Sequence, residues 1–225
     1  NLGGSNIIGG WETDGTKFDI YQFVEKDVDE VDPWGKRNWV KVSVDTETIY
    51  SATEGNFEYA WDGNLGTIWH SNWQGASDKL DGSNTFTGII DFSKEHTINQ
   101  FSFTPRTGNN SGQVTQASVY VKGAEGEWKL VAEHAEFAAN GSKKTVCFET
   151  QAVQYVKFVA EQSNDGWVAV AEFDIDNVAG EHTITETVTR VADCTNPGVL
   201  TCTCTCGNVY TKKIPVNPEN HTVVF

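Results

Sequence analysis

The residues best suited to chemistry are concentrated where Tyr59-Ala60-Trp61-Asp62-Gly63-Asn64-Leu65-Gly66-Thr67-Ile68-Trp69-His70 runs into Ser71-Asn72-Trp73. Asp62 and Thr67 bring hard oxygens at short spacing, and Gly63 and Gly66 permit the tight turns in which backbone carbonyls converge. Calcium takes about six to eight oxygen ligands, many of them carbonyls, so this turn resembles half of a cation cage. A carboxylate from far along the chain would complete it, and Glu172, in the pair Ala171-Glu172, is the candidate. The competing reading is an ordinary Asx-rich turn that holds no ion. No nucleophile with a neighbouring base and no presented pair of carboxylates stands out, so catalysis is not expected.

Sulfur is gathered at the other end of the chain. Cys194, Cys202, Cys204 and Cys206 lie in a threonine-rich tail, whereas Cys147 stands alone in a strand-like run and reads as a small core residue. His182, Cys194, Cys204 and Cys206 are nitrogen and sulfur ligands of the kind tetrahedral zinc accepts, although their spacing is not that of a zinc finger. Disulfide pairing is the alternative in an oxidising compartment. Either would brace a unit too small to fold on its own core. His182-Thr183-Ile184 recurs as His221-Thr222-Val223, which suggests an array of small repeats.

The elements that must position these residues are β-strands. Short alternating apolar runs fall at residues 39–44, 87–92, 97–105, 116–122, 128–135, 144–148, 155–162 and 168–174, separated by Gly, Asn, Asp and Ser clusters. No helical period lasts beyond about two turns. The expected fold is all-β, an antiparallel sandwich spanning residues 38–179. Residues 1–37, with one strand-like run at 18–24, read as a linker or the tail of a preceding domain, with packing through Trp11 or Trp34 as the alternative. Residues 180–225 read as a Cys/Thr-rich β appendage.

Composition narrows the partners. Acidic residues outnumber basic ones 31 to 16, a net charge of −15, with no Lys/Arg cluster. Such a surface repels phosphate backbones and anionic headgroups, which leaves neutral ligands such as sugars, and cations. No apolar run reaches the length of a membrane span. Eight tryptophans serve a sandwich core and also supply flat platforms. The lack of methionine suggests a piece of a longer reading frame, hence a monomeric module within a multidomain chain.

Three segments carry a resemblance: AWDGNLGTIWHSNW at residues 60–73, FTPRTGNNSGQV at 103–114 and GWVAVAEFDI at 166–175. In that order they resemble the discoidin or coagulation factor 5/8 type C domains, and among these the family 32 carbohydrate-binding modules of bacterial glycoside hydrolases and surface proteins. The resemblance implies a galactose-binding-like jelly roll with a structural calcium held by the Tyr59 carbonyl, Asp62, Asn64, Thr67, the Ala171 carbonyl and Glu172. It also implies a sugar site of His70, Trp73, Arg106, Asn110, Trp167 and Glu54, with Glu58 the weaker rival of Glu54. One departure is that Asn109-Asn110-Ser111 precedes Gly112 where the family has Asn directly before Gly, so any of the three is open as the contact. Trp69, Trp61 and Trp128 are expected in the core, and His96 and His134 in solvent.

The ligands so implied are galactose or N-acetylgalactosamine first, with N-acetylglucosamine and mucin-type or blood-group oligosaccharides behind, bound outside the cell or on a bacterial surface without catalysis. A protein- or lipid-binding adhesin, or part of a glycoside hydrolase catalytic unit, is the alternative. The tail is similar to a small threonine-rich repeat of Gram-positive surface proteins, on the pattern His182, Cys194, Pro197-Gly198, Cys204-Thr205-Cys206-Gly207, Tyr210, Ile214-Pro215 and His221.

Overall fold

The computed structural model describes residues 7–11, 18–22, 32–74 and 78–220, and the chain divides into two compact units between Gly35 and Lys36. In the first, β1 (Ile7–Trp11) and β2 (Phe18–Gln22) form an antiparallel hairpin with Ile7 opposite Gln22. The second copy of the tail motif, at His221, lies outside the described residues.

The second unit contains β3 (Val40–Val44), β4 (Glu54–Gly55), β5 (Ile68–His70), β6 (Phe86–Pro105), β7 (Val114–Lys122), β8 (Lys129–Glu136), β9 (Lys144–Ser163), β10 (Ala169–Asp176), β11 (Ile184–Arg190), β12 (Gly198–Cys204) and β13 (Val209–Ile214). The runs expected separately at 87–92 and 97–105 are one strand, β6, and those at 144–148 and 155–162 are one strand, β9. Each serves two layers. The first half of β6 pairs with β3 and with the second half of β9, which pairs onward with β7. The second half of β6 pairs with the first half of β9 and with β10, which pairs with β5. Register slips between Asp91 and His96, where Ser93 takes φ 65° and donates its backbone N–H to the Asp91 carboxylate at 2.7 Å. A bulge of this kind bends a strand and lets it pass from one sheet to the other.

Between the layers lies an aromatic core. Phe173 stacks on Phe101 with centroids 5.4 Å apart and also meets Phe158 and Phe57. Phe57 stands edge-on to Trp69 at 4.8 Å. Gly88 makes room for that ring, since a Cβ there would lie 2.3 Å from Phe57 Cζ. Trp69 is fully buried, its indole N–H donating to the Thr46 carbonyl, and Trp61 is buried beside Phe57.

Two expectations fail. Trp128 is half-buried on the outer surface, beneath the ammonium groups of Lys122 and Lys157, because it lies in the loop just before β8 rather than within an alternating strand. His96 is buried against Phe92 rather than solvated, since the β6 bulge turns its side chain inward. His134 is exposed, as expected, and pairs with Glu161 at 2.8 Å.

The tail strands continue the sheet. β11 pairs with β12, β12 with β13, and β13 with β8 at Thr211–Glu136 and Lys212–Ala135.

Phe173 meets four other core rings, those of Phe57, Trp69, Phe101 and Phe158, so truncating it leaves a large void. Phe173→Ala is expected to cost about 3–5 kcal/mol of unfolding free energy, measured by urea denaturation of the chain.

Candidate functional site

The loops that carry the predicted residues meet at one backbone position. Ala169, the first residue of β10, is paired with His70 of β5, accepts the Arg106 N–H at 3.3 Å and donates to the Gly112 carbonyl at 2.8 Å. Gly112 tolerates this approach because it has no side chain: at φ 77° a Cβ would lie 2.6 Å from the Ala169 Cβ. Ser71 adds a second clamp, exchanging hydrogen bonds with Val168 through its N–H and its hydroxyl. Asp165 receives the N–H groups of both Gly112 and Trp167, and Asn164 bonds the Asn110 carbonyl and the Gln113 N–H. Thr48 and Gln74 both donate to the Asn72 side chain, holding the chain on either side of Trp73.

The result is a cleft of about 340 Å³ lined by Glu54, His70, Trp73, Arg106, Asn109, Ser111 and Trp167. Glu54, not the exposed Glu58, faces Arg106 at 3.8 Å. Of the three candidates in the shifted loop, Asn109 and Ser111 line this cleft, while Asn110 lines an adjoining hollow of about 530 Å³ with Arg106, Thr107, Gly108 and Gln113. The Asn109 side chain accepts the Ser111 N–H at 2.9 Å, which closes a tight turn with Asn110 at its centre.

Each side chain has a defined capacity. His70 is only 3% exposed. Its Nδ1 lies 2.7 Å from the Ser71 carbonyl, so that nitrogen carries the proton and Nε2 is left as an acceptor. Burial holds its pKa below the ordinary imidazole value; the Ser71 carbonyl and the Glu54 charge oppose that effect, and Arg106 adds to it. Arg106 keeps a buried Nε–H with no hydrogen-bond partner among the described residues. The Lys79 ammonium lies 4.8 Å from the centre of the Trp167 ring, which lines the cleft. Trp73, 37% exposed, meets the edge of Tyr50 at 4.9 Å. Tyr50, Lys79 and Asp165 were not foreseen, since no motif marks them and their roles depend on contacts remote in sequence.

A second constellation lies beside the first. The Thr67 hydroxyl is within 2.9 Å of both Asp62 carboxylate oxygens and donates to the Asn64 carbonyl at 2.7 Å. Across from them, the β10–β6 register jumps from Val170 to Glu172, which leaves Ala171 outside the ladder. Lys36 donates to Glu172 Oε1 at 2.6 Å, but Glu172 Oε2 is buried without a hydrogen-bond partner among the described residues. Burial raises the Glu172 carboxyl above its usual range; Lys36 opposes this, and the charges of Asp174 and Asp62 reinforce it. The Asp62, Thr67 and Asn64 oxygens and a buried Glu172 carboxylate oxygen form a donor set that fits a hard cation.

The chain resembles known proteins in sequence and in fold. The chain is 28% identical over 130 residues to an A type blood N-acetyl-α-D-galactosamine deacetylase of Flavonifractor plautii, covering 58% of this chain and 16% of that protein. The family 32 module of Clostridium perfringens NanJ, solved with galactose, superposes with a TM-score of 0.54 at 26% identity, covering 63% of this chain and 95% of that one. The C. perfringens module CpGH89CBM32-5, solved with GalNAc-β-1,3-galactose, gives a TM-score of 0.57 at 23% identity, over 63% and 97% of the two chains. Residues 41–173, bearing the strands and loops that build both constellations, match the F5/8 type C domain, and the chain belongs to that family.

Proposed function

We propose that this chain is a non-catalytic carbohydrate-binding module that takes a terminal galactose or N-acetylgalactosamine in the Trp167 cleft, outside the cell, and steadies the cleft with calcium. The observation that carries the reading is the convergence of Glu54, His70, Trp73, Arg106 and Trp167 on one opening. A pyranose has an apolar C–H face and a rim of hydroxyls, so it needs a ring to lie on and polar groups around that ring. Trp167 supplies the plate and Trp73 a flanking wall. His70 Nε2 accepts a hydrogen from a hydroxyl, the Arg106 fork donates to two more oxygens, and Asn109 and Ser111 reach the rim. An axial hydroxyl at C4 leaves one face of the sugar clean for the plate while it turns toward the imidazole. The ligands named for the NanJ module and for the F. plautii deacetylase support this sugar class. The activity of any larger protein that carries the module follows from its other domains, since this chain spans only 16% of the F. plautii relative.

A glycan array and calorimetry with galactose and N-acetylgalactosamine test the reading. The wild type should bind with a dissociation constant of roughly micromolar to millimolar. Trp167→Ala and His70→Ala should each lose at least about tenfold, equivalent to about 1.4 kcal/mol. Absence of any glycan signal, or binding unchanged in both variants, would refute the site.

Binding should also follow the protonation of His70. Its folded pKa is depressed, so the neutral ring is the native form; the stability it contributes is present above the unfolded value of about 6.5 and is lost as pH falls through the lower, folded value. Protonation turns Nε2 from acceptor to donor. Galactose affinity should therefore be flat from about pH 8 to 6.5 and fall at lower pH, with the acid limb absent in His70→Ala.

Calcium would be held by the Asp62, Thr67 and Glu172 oxygens with the Tyr59, Asn64 and Ala171 carbonyls, pinning the turn before β5 to β10 behind the cleft. Calcium at about a hundredfold its dissociation constant should add about 2.7 kcal/mol to unfolding free energy, and Glu172→Gln should remove most of the gain. A wild-type melting temperature indifferent to calcium and chelator would dismiss the ion.

A further inference from the structure

Outside the cleft and the acidic pocket, the structure brings together four sulfur and nitrogen ligands from distant parts of the chain. Cys147 of β9, His182 in the connection from β10 to β11, Cys204 at the end of β12 and Cys206 in the turn to β13 present ligand atoms that all lie within 4.8 Å of one another. Cys194, which the spacing suggested as a ligand, is not in this group; Cys147, which looked like an isolated core residue, takes its place. We propose that these four side chains form a tetrahedral zinc site that fastens the tail to the sandwich.

The first support is geometric. At a Zn–S distance of about 2.3 Å, tetrahedral sulfurs sit about 3.7 Å apart. The Cys147 and Cys206 sulfurs are 3.3 Å apart, and Cys204 Sγ lies 3.3 Å from His182 Nδ1. These edges are near the tetrahedral value, so only small side-chain rotations are needed to centre an ion.

The second support comes from the surroundings. His182 Nε2 lies 3.1 Å from the Val178 carbonyl, which fixes its proton there and leaves the Nδ1 lone pair for the cluster. Val178 is itself held by Asn99, which donates to its carbonyl at 2.8 Å and accepts its N–H at 3.0 Å. Gln100, register partner of Cys147, points its amide N–H at Cys206 Sγ, and Asn208 in the same turn donates to the Thr145 carbonyl at 2.7 Å. Ligands thus oriented by an outer layer of hydrogen bonds characterise a metal centre more than a chance gathering of thiols.

The third support is chemical. Cys147, Cys204 and His182 are buried, 0%, 3% and 4% exposed, so the cluster is largely closed, as structural zinc sites are. Three sulfurs and one imidazole in a tetrahedron favour zinc over the oxygen-seeking cations. On binding, Zn²⁺ displaces three thiol protons to solvent, and the resulting Cys₃His centre carries one negative charge, which the Gln100 N–H faces.

The test uses the full chain, purified under reductant with calcium saturating, loaded with zinc and desalted. Elemental mass spectrometry should give one zinc per chain. Cobalt in place of zinc should give intense visible bands and near-ultraviolet thiolate charge transfer, the signature of a tetrahedral sulfur-rich site, and this reads the wild type without any substitution. Cys206→Ser, at the exposed ligand, should lower zinc affinity at least tenfold, and Cys194→Ser should leave it unchanged. The proposal is overturned if zinc does not bind, if cobalt gives the weak spectrum of an octahedral ion, if Cys194→Ser abolishes binding, or if the natively secreted chain carries a Cys147–Cys206 disulfide, detected as a peptide pair two hydrogens lighter than the thiols.

Discussion

Everything functional in this molecule depends on how β10 is held. One face of the strand delivers Phe173 to the aromatic core, its first residue receives the loops of the cleft, and its single break in register exposes Ala171 and Glu172 to the oxygen-rich turn. These demands conflict in a regular strand, because side chains alternate strictly between two faces. The bulge resolves the conflict: it moves Glu172 and the residues after it by one position relative to β6 and leaves Ala169 and Val170 in step with β5 and Pro105. The cleft loops are therefore attached to a mostly buried strand flanked by β6 and β5 rather than to a peripheral one.

Charge is distributed by the same arrangement. Two carboxylates on β10, Glu172 and Asp174, share the ammonium of Lys36, and Lys143 reaches Asp174 from outside at 2.7 Å. Two cations against this cluster leave one carboxylate oxygen buried and, among the described residues, unpaired. The cleft, by contrast, nearly balances itself, with Arg106 facing Glu54 and the imidazole neutral. A balanced cleft suits an uncharged ligand, and an acidic pocket suits a cation, within a chain whose overall charge is −15.

Much of this was legible in the sequence, and the reasons differ by residue. His70, Trp73, Arg106 and Trp167 are uncommon residue types placed beside Pro, Gly or Asn markers, so local pattern and resemblance sufficed to bring them together. Asn109 and Ser111 could not be separated from Asn110, because which of three consecutive side chains faces the cleft depends on a turn closed by the Asn109 side chain itself. Tyr50, Lys79 and Asp165 gave no signal, since each acts across a long separation from a segment without regular alternation. The strand expectations missed continuity rather than location: β6 and β9 each looked like two strands because their polar bulges interrupt the hydrophobic rhythm. Cys147 illustrates the general limit, for burial could be read from its strand, but its neighbours were set by a tail that folds back from far downstream.

The attachment of that tail has a mechanical consequence. β13 joins β8 through only the Thr211–Glu136 and Lys212–Ala135 rungs, whereas β9 and β6 are laced along almost their whole length. Tension applied between the tail and the sandwich would therefore concentrate on the narrow seam and part it before the sandwich yielded. The cysteine and histidine cluster links β9 to the tail at a second place, so closing it with an ion would make the tail a stiff handle, and leaving it open would make the tail a hinge that extends under load.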